Sequence, residues 1–198
     1  MGKGEETRRR IVAGAAALFN RRGYEGTSLA DLMEATGLEK GGIYRHFASK
    51  EAIAAAAFDY AWQSASSARL GDLDQISNSV DRLKQFVANF VERIPAVPGG
   101  CPMFNTAVDS DDGNPVLRAR ARKALRGWLR YLASTIEAGI RAGEVRRGTS
   151  PKGAAILILS SLEGALIMSN LERDREPLLA VRSRLERWLE AEVRLRRR

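Results

Sequence analysis

The chain has 198 residues, 44% hydrophobic and 28% charged, with a formal net charge of +8. These values fit a soluble globular protein of one or two small domains, and the charge permits a polyanionic partner without requiring one. Cys101 is the only cysteine and His46 the only histidine, which excludes an internal disulfide and leaves a Cys/His zinc site without ligands, so no metal or cofactor is expected.

Ile11, Ala15, Leu18 and Phe19 mark one face of a first helix, from about Glu5 to Arg22, closed by Gly23. Ser28 then stands as an N-cap, with Asp31 three residues on to reach back to the free amides. Leu29, Leu32 and Met33 follow at helical spacing, and Gly37 supplies the left-handed residue that turns the chain. Leu38 to Phe47 gives a second short helix, with Leu38, Ile43 and Phe47 available for the inside. Two helices this short bury little alone. They make sense as a helix-turn-helix whose second helix lies in the major groove of DNA.

The outward residues Lys40, Tyr44, Arg45, His46 and Lys50 are hydrogen-bond donors, and phosphate oxygens accept. Gly41 and Gly42 cost about 1 kcal/mol each in a helix interior relative to Ala. They are easier to understand where a helix must approach a DNA backbone or base edge closely. The plain alternative is a small helical hairpin with ordinary surface charges. Residues 1–50 hold nine Lys or Arg and six Asp or Glu, so the DNA argument rests on which face the donors occupy, not on net charge.

Ser49 caps a fourth helix from Lys50 to about Arg69, with Phe58 and Trp62 in an aromatic stripe. A loop follows at Gly71 to Asp74. A fifth helix runs from Ile76 to Ile94 and carries Val80, Leu83, Phe86, Val87, Phe90 and Val91 on one face. Pro95, Pro98, Gly99 and Gly100 break it. Pro102 to Val108 forms a short helix, and Asp109 to Asn114 an acidic loop. A long helix spans Pro115 to about Ala142, its inner stripe being Leu117, Ala121, Leu125, Trp128, Leu132 and Ile136. Thr149 or Ser150 caps the next, which runs to about Leu171. Pro177 opens a last helix with Leu178, Val181, Leu185, Trp188 and Leu189 in near-heptad order. The tail Arg194, Arg196, Arg197 and Arg198 is expected to fray in solvent. The fold class is therefore all-α, with about nine helices and no strands.

Gly153 to Leu171 is long and apolar enough to span a membrane, but Glu163 near its middle makes it a buried helix instead. With no apolar segment at the N-terminus, the chain is expected in the cytoplasm and not in a membrane. Gly153 to Leu162 is apolar or small on nearly every side, and Gly164 and Ala165 permit close helix approach. A homodimer follows as the simplest way to cover it, since two-fold dimers are the commonest assembly. Ile158, Gly164, Val181, Leu185 and Trp188 are the expected interface residues.

The segments G-Y-E-G-T-S, Gly23 to Ser28, and G-G-I-Y-R-H-F-A-S-K-E, Gly41 to Glu51, resemble the DNA-binding domain of the TetR family of bacterial repressors. G-C-P-M-F-N-T-A-V, Gly100 to Val108, is similar to a segment in one branch of TetR-like proteins. The resemblance implies a helix-turn-helix domain over 1–48 and a helical ligand-binding and dimerisation domain over 49–198. It implies phosphate contacts from Tyr44, His46 and Lys50, a backbone contact from the Thr27 hydroxyl, and base contacts near Lys40 and Gly41. Glu39 is placed to accept from cytosine. It further implies a near-palindromic double-stranded operator, a dimer built from the last two helices, and a small-molecule inducer bound in the larger domain.

Candidate lining residues for that inducer are Trp62, Phe86, Phe90, Met103, Phe104, Trp128, Tyr131 and Leu162, which suggest an apolar or aromatic ligand. Plain core is the better reading of each. Arg118, Arg122, Arg126 and Arg130 recur every four residues, which reads as a solvated face before an anion site. Cys101 reads as a small buried hydrophobe or as a thiol sensor of electrophiles or oxidants. A DNA-binding dimer without any ligand is a further alternative. An enzyme is not expected. His46 lies in the reading helix far from Cys101 in sequence, Asp111 and Asp112 have no partner base, and neither G-x-S-x-G nor a P-loop occurs.

Overall fold

A computed structural model describes residues 2–110 and 113–195. The expectations for Asp111, Asp112 and Arg196 to Arg198 lie outside the described residues. Within them the helices are α1 (Lys3–Arg22), α2 (Leu29–Thr36), α3 (Lys40–Tyr44), α4 (Lys50–Leu70), α5 (Ser79–Glu92), α6 (Pro102–Asp109), α7 (Pro115–Arg141), α8 (Pro151–Glu172) and α9 (Glu176–Trp188). A 3₁₀ turn at Leu73–Gln75 and a π turn at Leu189–Val193 complete the order. The only extended pairing among the described residues is an isolated antiparallel bridge between Val145 and Arg194.

The chain packs as two compact units, Met1–Ala65 with Pro95–Ala124, and Ser66–Ile94 with Leu125–Arg198. The expected boundary after residue 48 does not coincide with this division. Ile53, Ala57 and Ala61 of α4, together with Val97, join the core of the N-terminal helices, so the packing unit is larger than the helix-turn-helix.

In the first unit Ile11, Ala15, Leu32, Ile43 and Ile53 are fully buried and Phe47 nearly so. Burying an aliphatic side chain of Leu or Ile size contributes roughly 2 kcal/mol, and this shared core holds short helices that could not stand alone. The α2 start is fixed by the expected capping box. Ser28 Oγ accepts from the Asp31 amide at 3.1 Å, and the Asp31 carboxylate accepts from the Ser28 amide at 2.7 Å. Gly37 adopts φ +63° and its amide returns to Met33 O at 2.9 Å. The helix at Leu38 to Phe47 is shorter than expected, because Glu39 is still extended and regular winding stops at Tyr44. A looser turn then carries the chain to Phe47, whose amide bonds Ile43 O at 3.3 Å.

The Ser28 hydroxyl, the Ser28 amide and then Arg22 hold the Asp31 carboxyl below its ordinary range. A depressed folded value means that its contribution is present above the ordinary carboxylate pKa and is lost as pH falls through the lower folded one. Thermal melts against pH should therefore show an acid-side loss that Asp31→Asn lacks. Ser28→Ala should cost about 1 kcal/mol at neutral pH.

The second unit is built on Leu83, Phe86, Leu132, Ile136, Ile158, Leu162 and Leu189, all fully buried. α5 begins at Ser79 and not Ile76, because Asn78 caps it by accepting from the Val80 and Asp81 amides. It ends before Ile94, which is 87% exposed. Pro95 disfavours helical backbone in the residue before it, and Arg93 is already extended. Leu125, expected inside, is 38% exposed.

Arg194 does not fray. It bridges to Glu190 at 3.0 Å and to Asp81, and donates to Asn78 Oδ1 at 3.2 Å, while the Arg146 amide bonds Val193 O at 2.9 Å. α8 is long and apolar enough to cross a membrane by length and composition. Ile158, Leu159, Leu162 and Glu163 are nevertheless buried within the chain's own packing.

Candidate functional site

The first unit presents one face of exposed donors. Glu39, Lys40 and Gly41 open α3 and are all exposed, as are Tyr44 and Arg45 one turn on. Ile43, fully buried between them, fixes the rotation of α3 so that those side chains point out. A Cβ at Gly41 would meet nothing within 4 Å, so protein packing does not require glycine there. His46 is half-buried, with its ring against Gly4 at the start of α1. Lys50 stands in the first turn of α4, where Ser49 Oγ accepts from the Ala52 amide at 3.1 Å. Its ammonium lies 4.3 Å from the centre of the Tyr24 ring. Arg8 lies similarly over Phe47, at 4.6 Å.

Thr27 is the correction in this group. It is fully buried, and its hydroxyl donates to Gly23 O at 2.8 Å. It fixes the turn between α1 and α2 and is not on the outer face. Arg45, exposed beside Tyr44, belongs with the donors.

A polar lock that the sequence does not announce ties the segment 98–109 to α1. Asn20 Nδ2 donates to Pro98 O at 2.8 Å. Asn105 Nδ2 donates to Asn20 O at 2.9 Å and to Gly99 O at 2.7 Å. The Tyr24 amide donates to the Asp109 carboxylate at 2.7 Å. Nothing in the spacing of Asn20 and Asn105, 85 residues apart, signals this. The small cavity beside it, about 20 Å³, is lined by Phe19, Tyr24, Phe58, Asn105 and Leu117 among others, and holds no more than a water-sized guest.

The expected ligand residues divide between the units. Trp62, Met103 and Phe104 belong to the first; Phe86, Phe90, Trp128, Tyr131 and Leu162 belong to the second. In the second, three rings form one cluster. Trp128 meets Phe86 edge-on at 6.0 Å and Phe90 at 6.2 Å between centroids. Arg69 completes it, with its guanidinium 4.1 Å from the Phe90 ring centre and 5.2 Å from that of Trp128. An arginine in the last turn of a helix reads as a solvated partner of the helix dipole, so nothing in its place on α4 announces its burial. Arg118, Arg122, Arg126 and Arg130 are not buried, as a solvated face requires.

Of the expected interface residues, Ile158 and Leu185 are buried inside the single chain. The apolar residues left uncovered on α8 are Ile156, Leu157, Ile167, Met168 and Leu171, with Leu179 on α9. They follow the same side of α8 as Gly164, where a Cβ would meet nothing. Val181 and Trp188 are half-buried. Cys101 is 2% exposed and precedes α6 as its N-cap residue.

Residues 11–57 match the model for bacterial regulatory proteins of the tetR family, and residues 79–185 match the tetracyclin repressor-like C-terminal domain. The chain is 28% identical over 172 residues to the HTH-type transcriptional repressor DhaR of Mycobacterium sp. (strain GP1), covering 86% of each chain. It superposes on a TetR transcriptional regulator from Chloroflexus aurantiacus with a TM-score of 0.94 and 44% identity, covering 99% of this chain and 100% of that one. A TetR-family regulator from Cytophaga hutchinsonii matches with a TM-score of 0.90 and 32% identity, over 100% and 99% of the two chains.

Proposed function

The chain belongs to the TetR family of bacterial transcriptional regulators, DNA-binding proteins and not enzymes, and from that premise we propose that it is a repressor released from its operator by a small molecule. The observation that carries the DNA reading is the exposed donor face of α3. Lys40 and Gly41 meet base edges at the floor of the major groove, with Glu39 accepting from cytosine where the sequence offers one. Tyr44, Arg45, His46 and Lys50 hold phosphates, and the α4 N-terminus adds its free amides to the Lys50 charge. Binding is therefore steeply salt-dependent, and the site of action is the cytoplasm, where the DNA is. Fluorescence anisotropy with labelled duplexes at graded salt measures this directly. Salt-insensitive binding counts against it.

The working assembly is a homodimer that reads two half-sites about 34 Å apart. Its interface runs along the uncovered stripe of α8 with Leu179, not through Ile158 or Leu185. Leu157→Glu with Met168→Glu should give a folded monomer by sedimentation, with operator affinity strongly reduced. Leu185→Glu should instead unfold or aggregate the chain, because it places a charge in its own core. An unchanged dimer in the double variant moves the interface elsewhere.

The inducer binds in the aromatic part of the second unit. It acts by preferring the arrangement of reading heads that does not fit DNA, and only that difference in affinity shifts the equilibrium. A coupling of about 1–3 kcal/mol lowers DNA affinity roughly 5–150-fold. α4 and α7 each carry residues of both units and so are the elements through which the shift passes. The Asn20–Asn105 and Tyr24–Asp109 bonds give a second handle on α1. Asn105→Ala should therefore reduce ligand-induced release more than it reduces DNA binding in the absence of ligand, measured by the same anisotropy titration. The burial of Cys101 disfavours a thiol sensor.

A further inference from the structure

Arg69 is 2% exposed, yet its Nε and one terminal nitrogen have no hydrogen-bond partner, and no carboxylate among the described residues pairs with it. Its backbone is well held, with the carbonyl accepting from Asn89 Nδ2 at 3.1 Å, so the base of the side chain is fixed in position. A guanidinium does not lose its proton in proteins, so it cannot escape burial by becoming neutral. The Phe90 and Trp128 rings offset part of the desolvation cost through their π faces. A ring face is no substitute for an oxygen acceptor, and Nε and Nη1 stay unanswered.

Two further buried hydroxyls without partners lie on the same elements. Ser66 Oγ is one turn before Arg69 on α4, and the Tyr131 hydroxyl is one turn after Trp128 on α7. Burial pushes the Tyr131 phenol up, which keeps it a proton donor. Buried polar groups in folded proteins are almost always paired. An arginine held among aromatic rings with its donors open is built for a guest that brings the acceptor.

We propose that Arg69 reads a carboxylate on the inducer, whose flat apolar or aromatic body packs against Phe90 and Trp128. The inference rests on the reading of this unit as the ligand-binding part. The planar fork of guanidinium N–H groups matches a carboxylate. One negative charge neutralises the Arg69 guanidinium, whereas a phosphate dianion leaves a net charge in the apolar surroundings. The ligand class is thus narrower than the aromatic lining alone suggests: a monocarboxylate with an apolar body.

The test uses benzoate, phenylacetate and octanoate against their primary amides, with phenyl phosphate as the dianion. Binding is followed by tryptophan fluorescence and melting temperature, and release by anisotropy of the operator complex. The carboxylates should bind about tenfold or more tighter than the amides, and release DNA. Arg69→Met should abolish that preference. Arg69→Met should also melt no lower than the parent chain without ligand, since it removes an unanswered buried charge. Amides that bind as tightly as the acids and release DNA overturn the carboxylate assignment while sustaining a ligand-responsive repressor. A preference for the acids that survives in Arg69→Met, or a lower melting temperature for that variant, also overturns it. Phenyl phosphate binding tighter than benzoate overturns the monoanion claim. If no compound of either kind binds, the carboxylate assignment fails; if compounds bind without releasing DNA, the repressor reading fails.

Discussion

Alanine at both Tyr44 and Lys50 should weaken operator binding by two to three orders of magnitude while leaving the chain folded. A hydrogen bond to a charged phosphate contributes about 1 kcal/mol or more net. A dimer makes each of these bonds twice, so the two substitutions remove four, or roughly 4 kcal/mol before non-additivity reduces it. Tyr44 is exposed and Lys50 half-buried. Inside the chain, the double variant gives up the Lys50 ammonium over the Tyr24 ring, about 0.5–1 kcal/mol at a surface site. The melting temperature should fall by only a few degrees. The salt dependence carries a sharper signature. Removing one lysine–phosphate pair per subunit should flatten the slope of log K against log salt by roughly 1.8. An unchanged slope with lower affinity means that the residues shape the head and do not touch phosphate.

Trp128→Ala should strongly destabilise the second unit. Trp128 is 2% exposed and meets Phe86 and Phe90 at ring distance. Truncating a buried aromatic costs about 3–5 kcal/mol, or a drop of roughly 10 °C or more in a chain of this size. Its effect on ligand response is therefore confounded with loss of packing. Trp128→Phe keeps an aromatic face against Arg69 and is the variant that separates the two roles. It should melt within a few degrees of the parent chain and still shift the ligand response. A parent-like melting temperature for Trp128→Ala would mean that the ring cluster is not part of the core.

The first unit is largely legible in the sequence because its signals are local. Ser28 and Asp31 form the capping box that their spacing announces, Gly37 takes the positive φ that its place in the turn demands, and Ile43 and Phe47 face inward. The same is true of helix ends marked by Pro95, Pro115 and Ser150. What is not legible depends on which side of a helix another helix covers. Ile158 and Leu185 look like interface residues by type and spacing alone, and become core once α8 and α9 pack on their own chain. The uncovered Leu157, Met168 and Leu171 sit a few residues away on the same apolar helix, and periodicity cannot choose between faces when nearly every position is apolar. Arg69 is invisible for the opposite reason. Its type and place suggest solvent, and only packing against Phe90 and Trp128 reveals a buried cation. Thr27 matches a pattern, but its hydroxyl bonds Gly23 O, a bond set by the turn and not by spacing.

Two copies of this chain should read an inverted repeat through α3. Incubating the protein with sheared genomic DNA, recovering the bound fragments through several rounds and sequencing them measures this directly. The result expected is one enriched inverted repeat whose half-sites are centred about one helical turn apart, or a small multiple of it. Enrichment should be lost when Tyr44 and Lys50 are both alanine, and reduced in the Leu157→Glu, Met168→Glu monomer. Bound fragments that share no repeat, or equal enrichment by the Tyr44 and Lys50 variant, would show that α3 does not read the operator in this way.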